Sequence, residues 1–133
     1  MKTSNNVELG KQQVLDFCKN IEIWFNGTAS DPKLLYQAIL HRFDPAFTLV
    51  NGDGDTIDFN QLSQWLEKVY GQFPTRKVAI QQLEGYATSQ HILLTYTEIQ
   101  YTEGLQNTRH ASAVFVIREH RAYWYHLVEQ WGN

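Results

Sequence analysis

The residues best suited to chemistry lie in the C-terminal half of the chain, at alternating positions of strand-like segments. They are two carboxylates, Glu98 and Glu129, an imidazole, His110, and a hydroxyl, Ser112. A carboxylate whose pKa is raised by apolar neighbours can act as a general base, and His110 or Tyr96 could supply the acid. Glu98, His110 and Glu129 are therefore the candidate catalytic residues, for proton abstraction or for lactone and cyclisation chemistry.

Aromatic side chains accompany these groups, and together they suit the wall of a pocket for a small, largely apolar molecule. Aromatic residues make up 14% of the chain, enough to line a cavity as well as to fill a core. Binding without a reaction is the first functional hypothesis, an acid–base enzyme of the isomerase, dehydratase or cyclase type the second, and a structural dimerisation domain the third. The predicted ligand-binding residues are Phe47, Trp65, Tyr96, Ser112, Tyr125 and Trp131.

Simpler interpretations of the two carboxylates remain open. Glu98 and Glu129 could lie near strand ends in water, or Glu129 and His110 could form a cross-strand pair. A packed core is the least favourable place for them, because unpaired charge is costly to bury. If both carboxylates face bulk water, the enzyme hypothesis fails.

Four strand-like runs carry these residues and must position them. Connections of a few residues join antiparallel neighbours, since a parallel crossover needs about a dozen residues or more. The sequence therefore predicts a four-stranded antiparallel meander. Alternation and turn signals give its strands as Arg76–Tyr86, His91–Thr102, Thr108–Arg118 and Ala122–Trp131.

The register of the last two strands decides which side chains share a face. A tight turn centred on Glu119 and His120 pairs Val114 with Tyr125, Ser112 with Leu127, and His110 with Glu129. One face then carries His110, Ser112, Val114, Tyr125, Leu127, Glu129 and Trp131, and an even register adds Glu98 to it. The other face carries Ala111, Ala113, Phe115, Trp124, His126 and Val128. Both faces are too apolar for water, so we expect helices on one and a second copy of the chain on the other.

Three helices precede the meander in the prediction. Apolar residues at helical spacing predict the first over Val7–Phe25. Asp31 is a typical N-cap and Pro32 a typical first residue, so a second helix starts there. Asp58, with Gln61 three residues later, forms a capping box that starts the third.

A small hairpin is predicted before the third helix. The Asn-Gly and Asp-Gly pairs of Asn51–Gly54 favour a tight turn between short strands at Ala46–Val50 and Asp55–Ile57. Residues 1–6 are expected to be disordered. The predicted fold is therefore α+β, with three N-terminal helices packed on a curved four-stranded antiparallel meander and a small β-hairpin before helix three.

Composition limits the remaining possibilities. The 133 residues suit one domain, 1–133, and a formal charge of -3 without a basic run argues against nucleic acid. The single cysteine, Cys18, gives no sign of secretion, and no stretch approaches the ~20 apolar residues of a membrane span. We expect a soluble, cytoplasmic protein with no membrane partner. No histidine pair has the helical spacing of a zinc site, so no metal and no cofactor are expected.

Several runs of the chain resemble small NTF2-like proteins of the DUF4440 and SnoaL-like kind. They are Phe43–Val50, Gln61–Leu66, Leu94–Glu98, Ser112–Phe115 and His126–Trp131. The resemblance implies a cone whose helices close over a concave sheet, a pocket inside it, and a homodimer formed through the convex sheet face. Members of that superfamily include isomerases, dehydratases and polyketide cyclases, so the fold does not settle the function.

The catalytic pattern of the resembling enzymes differs from this sequence. They use an Asp or a His–Asp pair as general base, sometimes with a Tyr as oxyanion donor. This chain has no aspartate after Asp58. The enzyme hypothesis therefore depends on the glutamates.

Overall fold

The computed structural model describes residues 2–132 and begins with a long helix, α1, Lys2–Asn26. Val14, Ile21 and Phe25 are buried on the side that packs against the sheet. Because no proline or glycine precedes Gly10, nothing in the sequence stops the helix from extending towards the N-terminus. Disorder was predicted for residues 1–6; residues 2–6 are described as part of α1, and Met1 lies outside the described residues.

The other two helices begin where their caps predict. The side chain of Asp31 accepts a hydrogen bond from the Leu34 N–H and starts α2, Pro32–Leu40. Asp58 and Gln61 form the complete capping box at the start of α3, Phe59–Val69. Both predicted helix starts are confirmed.

The strands are β1 Phe43–Val50, β2 Thr56–Asp58, β3 Lys77–Ala87, β4 His91–Thr102, β5 Leu105–Arg118 and β6 Arg121–Trp131. They form one six-stranded mixed sheet in the order β2-β1-β6-β5-β4-β3. The predicted meander is present, but β1 pairs in parallel with β6, so the hairpin of β1 and β2 extends the sheet instead of standing apart. This pairing covers the edge of β6, whose backbone groups would otherwise lack partners.

The turn between β5 and β6 is the predicted one, but the register beyond it is not. Glu119 and His120 have φ values of 50° and 65°, as a two-residue hairpin turn requires, and Phe115 pairs with Trp124 as expected. A β-bulge at Tyr125 then inserts one extra residue into β6. The pairs that follow are Val114 with His126, Ser112 with Val128, and His110 with Gln130.

This one-residue shift exchanges the faces of β6 relative to β5. Because side chains alternate along a strand, Glu129 now lies on the same side as Ala111, and His110 and Ser112 lie on the opposite side. We call the side that packs against α1 the inner face, which carries Leu94, Tyr96, Ala113, Phe115 and Trp124 in the core. The outer, convex face carries Leu93, Thr97, His110, Ser112 and Val128.

The outer face is partly apolar and open. Leu93 is 46% exposed, Val128 51% and Tyr86 81%.

Within the described residues, no helix has the length and apolar character needed to cross a membrane.

Candidate functional site

A cavity of about 240 Å³ lies between the helices α1 and α3 and the inner face of the sheet. Its polar groups are Asn51, Tyr96, Glu98, Arg109 and Glu129. The apolar part of its wall is formed by Phe17, Ile21, Phe43, Phe47, Leu49, Ile57, Leu62, Trp65, Trp124 and Leu127. The volume is somewhat below the ~300–1,000 Å³ that holds drug-sized molecules, so the cavity suits a smaller one.

Strand register brings the charged groups of the cavity together. Arg109 of β5 lies directly opposite Glu98 of β4 on one side and Trp131 of β6 on the other. One step along the same face, Ala111 separates Tyr96 from Glu129. Three central strands therefore place one cation between two carboxylates at one end of an apolar cavity.

Arg109 and Glu129 form the central ion pair of this end. Their side chains are only 19% and 9% exposed, and the Arg109 Nη1 and Glu129 Oε1 atoms are 3.5 Å apart. Arg109 Nη2 donates to the Asn107 side-chain oxygen at 3.1 Å. The pair is held within the protein, where screening by water and salt is weak.

Burial raises the pKa of Glu129 to about 7. The positive charge of Arg109 lowers this pKa, and the negative charge of Glu98 raises it further. The carboxyl group of Glu129 therefore changes its charge near neutral pH, which is the property expected of a general acid or base.

Glu98 is tied to the cavity wall by its neighbours. It accepts a hydrogen bond of 2.8 Å from Gln100 Nε2, and Gln100 is itself buried. Arg76 lies beyond, with its guanidinium 3.7 Å from the centre of the Phe73 ring and its Nε donating to the Thr102 hydroxyl at 2.9 Å. Burial lowers the pKa of Arg76, as does the charge of Arg109, whereas the charge of Glu98 raises it.

The two weakly acidic groups beside these carboxylates stay protonated. Burial, followed by the charges of Glu98 and Glu129, raises the pKa of Tyr96 well above its usual value. Burial also raises the pKa of Cys18 to about 12, and its thiol donates to the Val78 carbonyl at 3.3 Å. Tyr96 can therefore act as a hydrogen-bond donor, and Cys18 is not a reactive thiolate.

Two buried N–H groups of cavity residues have no acceptor among the described residues. They are Nε of Arg109 and Nε1 of Trp124. Trp124 is only 1% exposed. Leaving a buried donor unpaired costs about 1–3 kcal/mol, so these two groups are points of local instability in the wall.

Trp131 lies at the mouth of the cavity. Its indole Nε1 donates to Asp53 Oδ1 at 2.9 Å, and the Arg109 guanidinium lies 4.9 Å from the centre of its ring. The indole fits closely against Gly52, where an added Cβ would come within 2.7 Å of Nε1. The hairpin loop between β1 and β2 thereby holds Trp131 beside Arg109 and Glu129, around an adjoining recess of about 140 Å³.

The predicted site residues divide between the inner and outer parts of the molecule. Glu98, Glu129, Tyr96, Phe47 and Trp65 line the cavity together. Their catalytic and binding roles stay predictions.

Four predicted residues do not line the cavity. His110 and Ser112 lie on the outer face, because the bulge shifts the register, so the predicted grouping of His110 with Glu129 is wrong. Tyr125 occupies the bulge itself, with its ring 4.4 Å from that of His126. Trp131 lies at the mouth.

The outer face contains a larger but open groove of about 740 Å³ around His110 and Ser112. The Thr97 hydroxyl lies 3.2 Å from His110 Nδ1 and donates to Gln82 at 3.4 Å. The groove has a mixed polar and apolar lining and is open. Tyr96 and Glu129 also border it, but strand alternation places their side chains on the inner face. The inner cavity is therefore the better candidate site.

The sequence analysis did not assign Arg109 or Trp124 to the site. A signal was available for both residues. Trp124 was placed on one apolar face with Ala111, Ala113 and Phe115, and Arg109 continues the same strand alternation. A charged residue that continues an apolar face is a candidate for a buried functional group.

Among the described residues, no cluster of three His, Cys, Asp or Glu side chains could hold a metal ion.

Comparison with known structures agrees with this architecture. An NTF-2-like protein of unknown function from Pseudomonas aeruginosa superposes with a TM-score of 0.88 at 23% identity, over 94% of this chain and 99% of that one. This chain has the NTF2-like fold. The predicted resemblance is thus confirmed for the fold, with a six-stranded mixed sheet in place of the four-stranded meander.

Other solved structures match less closely. A putative scytalone dehydratase from Novosphingobium aromaticivorans has a TM-score of 0.72 at 6% identity, covering 96% of this chain and 85% of that one. A protein of unknown function with a cystatin-like fold from Nostoc punctiforme has a TM-score of 0.67 at 9% identity, covering 91% and 90%. No protein-family model matches the chain, and neither does any curated protein sequence.

Proposed function

We propose that this NTF2-like protein binds a small, largely apolar molecule in its inner cavity. The observation that carries the proposal is the cavity itself, which has aromatic and aliphatic walls and a charged end formed by Glu98, Arg109 and Glu129. Sites for small molecules have this composition: mostly apolar walls with a few polar groups that fix orientation. A purely structural domain would gain stability from filling the space, because packing contacts are lost around a void.

The binding proposal is tested by filling the cavity. Leu127 lines it, and Leu127→Phe should occupy part of its volume. We expect ligands from a library of small apolar molecules to raise the melting temperature of the wild type and to lose that effect with Leu127→Phe. Leu105→Phe, at a side chain that is 77% exposed, is the matched control and should bind like the wild type. A wild type that none of these molecules stabilises would contradict the proposal.

The same proposal includes a homodimer formed through the outer face. Support comes from the exposed apolar side chains there, Leu93 and Val128, which a second copy could cover by a two-fold arrangement of the same surface. Light scattering should give twice the mass of one chain for the wild type and for Leu105→Lys, and the mass of one chain for Leu93→Lys. A monomeric wild type would contradict this part of the proposal and leave the cavity unaffected.

A second candidate function is acid–base catalysis in the same cavity, of the isomerase, dehydratase or cyclase type. The observation that favours it is the pKa of about 7 for Glu129, beside a Tyr96 phenol that stays protonated. His110 is not available as the acid, since it lies on the outer face. In heavy water, the wild type should then exchange the protons next to the carbonyl of small ketones, and Glu129→Gln should not. Absence of exchange in the wild type across a panel of ketones that bind would argue for binding alone.

A further inference from the structure

Glu129 lies where the cavity and the adjoining recess meet. It lines both spaces, together with Asn51 and Arg109. Its side chain is only 9% exposed, and the accessible part borders these two spaces on the inner face of the sheet. A molecule whose apolar body fills the cavity therefore meets a buried carboxylate at the end that leads into the recess.

Among the described residues, carboxylates outnumber cations around this end of the cavity. The cations are Arg109 on β5 and Arg76 just before β3, and the carboxylates are Glu129 on β6, Glu98 on β4 and Asp53 in the hairpin loop. Two weakly acidic groups stay protonated and add no charge, the phenol of Tyr96 on β4 and the thiol of Cys18 on α1. Glu22 on α1, whose charge acts on Cys18, adds to the negative side. When Glu129 is ionised, at least one negative charge is therefore left without a counter-charge.

The state of Glu129 agrees with this imbalance. Its pKa stays raised although the Arg109 guanidinium lies beside it, so its ionised form is incompletely compensated by the protein. A positive charge on a ligand would complete that compensation. A negative charge would be repelled by the ionised form and would find no surplus of positive charge beside the protonated form.

We propose that the cavity takes a small amine, an apolar body that carries one ammonium group, and that the ammonium lies against the Glu129 carboxylate where the cavity meets the recess. This inference rests on the proposed binding function and specifies its ligand class. The apolar body lies against the aromatic and aliphatic wall, and the carboxylate of Asp53 faces the ammonium from the recess.

Three probes of similar size separate the effect of charge: 2-phenylethylamine, which carries an ammonium group, 2-phenylethanol, which is neutral, and phenylacetate, which is an anion. Isothermal titration calorimetry measures the Kd of each for the wild type. At pH 8 we expect the amine to bind at least about tenfold more tightly than the alcohol, because hydrogen bonds between charged groups are stronger than those between neutral groups. Phenylacetate should bind most weakly, since the carboxylates of this end oppose its charge.

The pH dependence of binding identifies the carboxylate. With a pKa of about 7, Glu129 is ionised in about nine-tenths of the molecules at pH 8 and in about one-tenth at pH 6, whereas the ammonium stays charged at both. Because the ammonium pairs with the ionised form, the affinity for the amine should fall about tenfold from pH 8 to pH 6, and that for the alcohol less than about twofold. At pH 7 the amine should release about half a proton on binding, measured by calorimetry in buffers of different ionisation enthalpy.

Variants test the residues separately. Glu129→Gln should still bind the alcohol, but it should lose the pH dependence and most of the preference for the amine. Asp53→Asn keeps an oxygen for the Trp131 N–H and removes one charge beside the recess, so it should weaken the amine about threefold relative to the alcohol. Asp55→Asn makes the same charge change at an exposed position of the same loop outside the recess, and should leave the preference unchanged. Leu127→Phe should weaken the amine and the alcohol alike.

Equal affinities of the wild type for the amine and the alcohol at pH 8 would overturn the inference and leave the proposed binding function standing. Tightest binding of phenylacetate, an affinity for the amine that does not change with pH, or full binding of the amine by Leu127→Phe would also overturn it. Binding of none of the three probes would contradict both the inference and the proposed function.

Discussion

Replacing Glu129 with glutamine should make the protein more stable at alkaline pH. The Glu129 side chain is only 9% exposed, and burial is the largest cause of its raised pKa of about 7. The carboxyl group therefore binds its proton more tightly in the folded state than in the unfolded chain, where its pKa is about 4.5. Glutamine has nearly the shape of the protonated form and cannot ionise, so Glu129→Gln removes the cost of burying the charge.

The magnitude follows from the two pKa values. Between about pH 4.5 and about pH 7 the folded state binds more protons than the unfolded state, so the free energy of unfolding falls as pH rises through this window. Above pH 7 both states are ionised and no further change comes from this group. Because each tenfold change in proton affinity is worth about 1.4 kcal/mol, the wild type should lose about 3 kcal/mol relative to Glu129→Gln between pH 4 and pH 8.

Urea unfolding of both proteins over this pH range measures the difference directly, since the contributions of all other titrating groups cancel in the comparison. Glu103→Gln, at an exposed turn position, is the matched control and should show a pH-independent difference from the wild type. The reasoning is refuted if the difference between Glu129→Gln and the wild type is the same at pH 4 and pH 8. It is refuted as well if the variant becomes the less stable protein as pH rises.

Glu98 provides a second check on the same electrostatics. Its negative charge raises the pKa of Glu129, so Glu98→Gln should lower that pKa and shift the loss of stability to lower pH. An unchanged pH profile in Glu98→Gln would mean that burial alone sets the pKa of Glu129.

Two further predictions concern the scaffold. Gly85→Ala should destabilise the protein by more than about 2 kcal/mol, because the new Cβ would clash with the Leu93 carbonyl oxygen. Gly104→Ala, in open space at φ +82°, should cost only about 1 kcal/mol, and equal losses in urea unfolding would contradict the steric argument. Arg118→Met should cost about 1–3 kcal/mol by the same assay, because it leaves the buried carboxylate of Asp44 without its ion-pair partner, and an unchanged stability would show that water replaces the guanidinium.

Local signals in the sequence were sufficient for the helices and for the last turn. Asp31, Asp58 and Gln61 act on backbone groups within three residues of themselves, so the sequence alone specifies the helix starts. The turn at Glu119 and His120 is equally local and has the predicted geometry. The parallel pairing of β1 with β6 joins residues about 80 positions apart, and no local pattern specifies it.

The site could be predicted only in part, because one residue changes the assignment of a whole strand. The bulge at Tyr125 changes which side chains of β6 share a sheet face with the apolar side chains of β5. It thereby also changes the neighbours of Glu129. The spacing of the side chains that line the cavity reflects the bulge. Trp124 and Leu127 are three residues apart, whereas side chains on one face of an unbroken strand are two apart. Testing such an odd interval against the face of β5 would have grouped Glu129 with Arg109.

Arg109 connects the stability of this end of the cavity with its specificity. Strand register places the half-buried Glu98 opposite Arg109, and Arg109 forms an ion pair with the buried carboxylate of Glu129. Because Glu129 has a pKa of about 7, the charge that any ligand meets at this end of the cavity changes by one unit near neutral pH, and with it the balance between binding a neutral and a charged molecule.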